Sequence, residues 1–244
     1  MKCCALMFTA AAAVCCNAGS ANLTVQCEEL VKLSGKGYVA AIDCRQNGNS
    51  SDFAKGADTV AALFSITVSN FTGRAFTLSN AAEQLRASGG NVAVFIADDP
   101  TLPFALSAPE EKWAMLNAAR ALADSPDEAK RRRRLSLLFV RQCCRALGSD
   151  EAKGTDTCLH SILSLYDLDA ITSFDITMGP EMSIPETMTL RGIEKIEYGT
   201  YEEACMMGVA PKPTNAVQKA IWDKIHALPT EPIRIKPEAK KVKE

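Results

Sequence analysis

The chain has 244 residues, 47% of them hydrophobic and 23% charged, enough apolar content to build one full core. Its 27 Lys and Arg nearly balance 29 Asp and Glu, with a pI near 5.8, so there is no basic field to draw in nucleic acid or anionic lipid. Nucleic acid is therefore excluded as an expected partner, and composition names no other.

Residues 1–21 read as an export signal. Met1-Lys2 precedes an apolar, alanine-rich stretch from Cys3 to Cys16, then Asn17-Ala18-Gly19-Ser20-Ala21, which is the order of a short n-region, an h-region and a small-residue cleavage zone. The apolar stretch is about fourteen residues, short of the roughly twenty a transmembrane helix needs. Cleavage after Ala18 or Ala21 is expected, placing the mature chain in the periplasm or medium with no transmembrane helix. Lipid anchoring through Cys15 or Cys16 is the alternative, set back by the bulky Val14 and Cys15 beside the site.

In the mature chain, Gly37 to Cys44 is an apolar run bounded by glycine and polar residues, the signature of a buried strand. A helix is expected from Ser51, with Phe53, Val60, Leu63 and Phe64 on one face and Ser50, Ser51 or Asp52 as its cap. Ile66 to Phe71 suits an edge strand. Ser79 caps a helix running to Gly89-Gly90, and Asn91 to Ala97 reads as a central strand. Lys112 to Leu122 fits strand or helix, and propensity favours helix. Ser125-Pro126-Asp127-Glu128 opens the strongest helix, running to Leu147 with Gly148 as its stop. The basic run Lys130 to Arg134 lies early on it and reads as a solvated face. Residues 176–189 are irregular, with Met178, Met182 and Met188 as gap-fillers. Tyr201 to Met207 and Asn215 to Ala227 are short helices, the second presenting Val217, Ile221, Trp222 and Ile225 on one face. Alternation of strand and helix predicts an α/β fold. Residues 22–172 form its α/β domain, 173–235 a helical and irregular extension, and 236–244 a charged, disordered tail.

Ten cysteines are present, and Cys3, Cys4, Cys15 and Cys16 leave with the signal. The remainder are Cys27, Cys44, Cys143, Cys144, Cys158 and Cys205. Export makes disulfides the leading reading, with Cys27–Cys44 and Cys143 or Cys144 with Cys158 as local pairs, though six cysteines allow fifteen pairings. Buried free thiols fit equally well. Asn22, Asn49 and Asn70 stand in glycosylation sequons.

Catalytic motifs are sparse. There is no phosphate-cradling loop, no G-x-S-x-G elbow and no C-x-x-C pair. His160 and His226, the only histidines, cannot alone make a zinc site of three or four ligands. Cys143, Cys144 or Cys158 with His160 can be drawn as a nucleophile and base, or as a zinc knot, but neither a lowered thiol pKa nor a positioned base is established locally. Disulfide or packing roles are preferred.

The helix ending at Gly148 carries a resemblance. Val140 to Gly148, VRQCCRALG, resembles the frame of the metzincin helix H-E-x-x-H-x-x-G-x-x-H, with Arg141 at the first histidine, Gln142 at the glutamate, Arg145 at the second histidine and Gly148 at the glycine. Glu151 falls at the third ligand. Asn91 to Leu106, NVAVFIADDPTLPFAL, and the pair Cys158-Leu-His-Ser and Leu165-Tyr-Asp-Leu-Asp169 are similar to stretches of archaemetzincin-like peptidases. The resemblance covers about half of the mature chain. It implies a metzincin-like mixed sheet with flanking helices, plus a short helical C-terminal region. It also implies lost chemistry. Two histidines one turn apart hold zinc while the glutamate takes a proton from water, whereas a guanidinium stays charged and is no ordinary metal ligand. The expectation is a secreted, non-catalytic protein with no metal or cofactor, binding a peptide or protein ligand or serving the cell envelope, with Arg141 and Arg145 free to meet an anionic group. Against it stand a thiol-dependent hydrolase around Cys158 and His160, and an interaction protein of an unrelated α/β fold.

Overall fold

Val92 to Ala97 is buried along its whole length in the computed structural model, which describes residues 30–149, 157–174, 176 and 184–227. Six consecutive buried residues require cover on both faces of a strand. This strand, β4, is the middle of a five-stranded sheet in the order β3-β2-β4-β6-β5. Tyr38–Asp43 is β2, Thr67–Thr72 is β3, Ala105–Ala108 is β5 and Trp113–Asn117 is β6. β3, β2, β4 and β6 run parallel, and β5 closes the far edge antiparallel to β6. The molecule is an α/β protein with a mixed sheet and flanking helices.

Alternate side chains of each strand enter two cores, because successive Cβ atoms point to opposite faces. Val39, Ala41, Val94, Ile96 and Leu116 join Val60, Leu138 and Phe139 on one side. There lie α1, Ala54–Phe64, and α4, Glu128–Ala146, with Phe53 stacked on Phe139 at 5.4 Å between ring centroids. On the other side Ile42, Phe95 and Met115 pack with Phe76 and Ala81, beneath α2, Ala81–Ser88. Phe76, Phe95 and Trp113 meet there with centroids 5.1 to 6.2 Å apart, the tilted and edge-on contacts that aromatic quadrupoles favour.

The long helix α4 starts where Asp127 accepts a bond from the Lys130 N–H at 2.8 Å, as an N-cap should. It stops at Gly148, whose φ of +89° is open to glycine and costly for other residues. α2 ends at Gly89 in the same way, at φ +73°.

Several expectations are corrected. Residues 113–117 form a strand, since Trp113 and Met115 face one core while Ala114 and Leu116 face the other. Only Ala118–Ala121 (α3) takes the helical option. Asn49 caps a 3-10 turn at Ser50–Asp52, and α1 begins at Ala54 after Phe53, with no side-chain cap of its own. Leu63 and Val217 are exposed rather than on buried faces. α2 begins after Asn80, one residue beyond Ser79.

After α4 come α5 (Leu165–Ala170), α6 (Ile184–Leu190), α7 (Tyr201–Met206) and α8 (Ala216–His226). The C-terminal stretch is tied back by a two-stranded ribbon in which Val31–Lys32 (β1) pairs antiparallel with Tyr198–Gly199 (β7). Among the described residues no helix is long and apolar enough to cross a membrane. The signal segment, the tail at 236–244, Asn22, Cys27, Glu151, Met178 and Met182 lie outside the described residues.

Candidate functional site

The helix with the metzincin-like frame lies under the far edge of the sheet, where α4 packs against β4, β6 and β5. Its residues at the frame positions are engaged with the protein. Gln142, fully buried, donates from Nε2 to Leu106 O at 2.7 Å and Met115 O at 2.8 Å, and its Oε1 accepts from Arg141 at 2.7 Å. One side chain thus pins α4 to β5 and β6 at once. Arg141, 5% exposed, also donates from Nε to His160 O at 3.0 Å. Arg145, half-buried, donates to Ser149 O beyond the helix end. Gly148 sits against Thr187 and Arg191. Arg141 and Arg145 brace the turns that follow α4, because their guanidinium groups find backbone carbonyls within reach.

Above Gln142 opens a cleft of about 390 Å³, lined by Phe104, Leu106, Arg120, Arg141, Ile162 and Leu163 among others. One wall is β5, the outermost strand of the sheet. Asn117 N–H bonds to Phe104 O at 2.9 Å, so antiparallel alternation turns the N–H and C=O groups of Ala105 and Ser107 toward the free edge. The opposite wall carries Leu163, 82% exposed, with Tyr166, also 82% exposed, just beyond it on α5. Arg120 lies at the exposed mouth, its Nε bonded to Leu102 O at 3.1 Å.

The cysteines correct the disulfide expectation. Cys44, Cys143, Cys144 and Cys205 are free and buried, and Cys158 is buried with them. Cys143, Cys144 and Cys158 pack as small hydrophobes in the core beneath α4, which is the alternative reading of such residues. Burial pushes the Cys143 thiol up to about 12, and burial together with neighbouring Asp43 does the same for Cys44. Burial also raises Cys144 well above the ordinary thiol range. None of these three has thiolate character. Among the described residues no group of three or more His, Cys, Asp or Glu could hold a metal ion. His226 stands far along the chain on exposed α8, stacked on Trp222 at 4.0 Å.

Two features were not anticipated. The free edge at β5 was missed because Phe104 to Ala108 is too short and mixed to stand out as a strand. The enclosure of Arg134 was missed because the run Lys130 to Arg134 reads as solvated. Asp124 and Asp169 receive that guanidinium, and their acidic spacing from it was the available signal.

No protein-family profile matches the chain, and no curated protein matches it. Among solved structures, an archaemetzincin from Methanopyrus kandleri is similar, with 13% identity over 64% of this chain and 93% of that one and a TM-score of 0.49. A zinc-dependent peptidase from Methanocorpusculum labreanum (strain Z) is similar over 55% of this chain and 93% of that one, with 12% identity and a TM-score of 0.44. These are weak archaemetzincin-like resemblances.

Proposed function

We propose that this chain is a non-catalytic binding protein, a degenerate relative of zinc peptidases whose cleft takes an extended peptide segment of another protein. The observation that carries the reading is the Gln142 bridge. The position that holds a catalytic glutamate in the intact frame holds an amide instead, and both of its N–H bonds go to strand carbonyls. A carboxylate there could not make those bonds. The side chain therefore builds the cleft floor.

What remains open in the cleft suits a strand. The free edge of β5 offers backbone donors and acceptors, the elements of β-strand addition. Phe104, Leu106, Ile162 and Leu163 supply apolar surface for alternate side chains, and Arg120 at the mouth suits an acidic one. The protein acts outside the cytoplasm in this reading, on the strength of the apolar N-terminal run and small-residue cleavage zone. Mass analysis of the chain purified from the periplasm or medium tests that part, with a mature start after Ala18 or Ala21 expected.

The binding test is selection of extended peptides from a displayed library on the full chain, followed by titration against Ser107→Pro. That substitution removes an N–H directed at the free edge, where proline is tolerated in a sheet. Selected peptides should lose binding by roughly tenfold or more, with the fold retained. Peptides that bind the variant unchanged, or stoichiometric zinc that survives dialysis together with cleavage of the peptide, would overturn the proposal.

A further inference from the structure

A second site lies away from the cleft, at the carboxyl ends of the parallel strands. β2 and β4 are neighbours, yet their chains depart in opposite directions. β2 leads through α1 to β3 on one side, and β4 leads to β5 and β6 on the other. Open α/β sheets hold their ligands in the crevice that such a divergence leaves. Here the crevice is a cavity of about 510 Å³, lined by Arg45, Gln46, Asn47, Asp52, Asp98 and Arg131 among others. That volume lies within the range of small-molecule sites.

One wall is rigid. The Arg45 side chain, 7% exposed, is gripped by Asp43 at 2.8 and 2.9 Å, by Asp52 at 2.9 Å and by Asn49 O at 3.0 Å. The loop is pressed onto this clamp: a Cβ on Gly48 would lie 2.3 Å from an Asp43 oxygen. Gln46 and Asn47 are exposed on the same loop. Asp98 and Arg131 both line the cavity and are exposed. Among the described residues neither has an ion-pair partner, and they do not reach one another. A cation, an anion and two amides around one cavity match a ligand that carries both charges.

We propose that this crevice binds a small zwitterion, an α-amino acid or the corresponding ends of a short peptide. The carboxylate sits on Arg131, whose planar fork fits it. The ammonium sits on Asp98, and Gln46 and Asn47 bond the polar atoms between. The clamp occupies four of the five Arg45 N–H donors and sets two carboxylates against its charge, so this guanidinium shapes the wall and leaves the ligand's carboxylate to Arg131. The proposal is independent of the peptide cleft.

The test is titration calorimetry and thermal unfolding of the full chain with free amino acids one at a time, with dipeptides, and with N-acetylated and carboxamide forms of those that bind. Zwitterions should raise the unfolding midpoint. Each capped form should bind roughly tenfold more weakly or worse, as should Asp98→Asn and Arg131→Gln, exposed positions whose replacement leaves the fold intact. Glu202→Gln, exposed on α7 and outside both clefts, should bind as the parent does. Binding by dipeptides alone keeps the chemistry and assigns it to peptide ends. Failure of every zwitterion, equal binding of acetate or methylamine, or unchanged binding in both crevice variants would overturn it. None of these results depends on whether the β5 cleft binds peptide.

Discussion

Arg134 has no exposed surface, although it closes a run of five basic residues. Its guanidinium donates to Asp124 at 2.6 Å, to Asp169 at 2.7 Å and to Ala121 O at 2.9 Å. It thereby joins α4 to the loop before it and to α5. Arg134→Met should lower stability by about 2–3 kcal/mol, the scale of charge-assisted bonds lost and carbonyls left unpaired, measurable as a lower urea midpoint. Asp169 reports on the same network. The hydrogen bond from Arg134, followed by that from Lys130, holds its carboxyl down at about 2, below the roughly 3.9 of an unfolded chain. A depressed folded pKa stabilises above the unfolded value, so this contribution is complete above about pH 4 and is lost as pH falls toward about 2. In Asp169→Asn the acid limb of the stability profile should flatten over that interval; a profile identical to the parent's would show that the pair carries no linkage. Gln142→Glu should destabilise by about 3 kcal/mol. It puts a buried carboxylate against two carbonyls that have lost their donor, and no zinc binding should accompany it.

At the scale of elements, strand and helix divide on whether one face or two must be buried. Trp113 to Asn117 has good helix formers, but its neighbours β4 and β5 take both of its edges and two cores take its faces. Tertiary demand outweighs a propensity difference of a few tenths of a kcal/mol per residue. The fit of α1 on α4 is another case that sequence spacing hides. Gly56 faces Ser136, and a Cβ there would approach the Ser136 carbonyl oxygen to 2.5 Å. Gly56→Ala should therefore destabilise by about 1–3 kcal/mol through overpacking, against a gain of about 1 kcal/mol from helix propensity alone. Thermal denaturation decides between them by the sign of the shift.

At the scale of the molecule, burial controls the chemistry of the thiols. The five described cysteines are all buried, so an alkylating reagent should modify them slowly in the folded chain and fully in denaturant. Rapid modification of the native protein would contradict the structure. The sequence by itself determined the alternation of strand and helix, the central place of Val92 to Ala97, the opening of α4 within Ser125 to Glu128 and its stop at Gly148. Those features rest on local physics: apolar runs, N-cap oxygens and the left-handed freedom of glycine. It also placed Arg141, Gln142 and Arg145 together on one helix. Only the tertiary structure decided what they do, because Arg141 and Gln142 find partners far along the chain, at His160, Leu106 and Met115, and Arg145 finds one just beyond the helix end. The same holds for the strand at 113–117, for buried Arg134 and for the crevice between β2 and β4. Each exists only where segments distant in sequence are brought together and water is excluded, and local patterns carry no record of which segments those are.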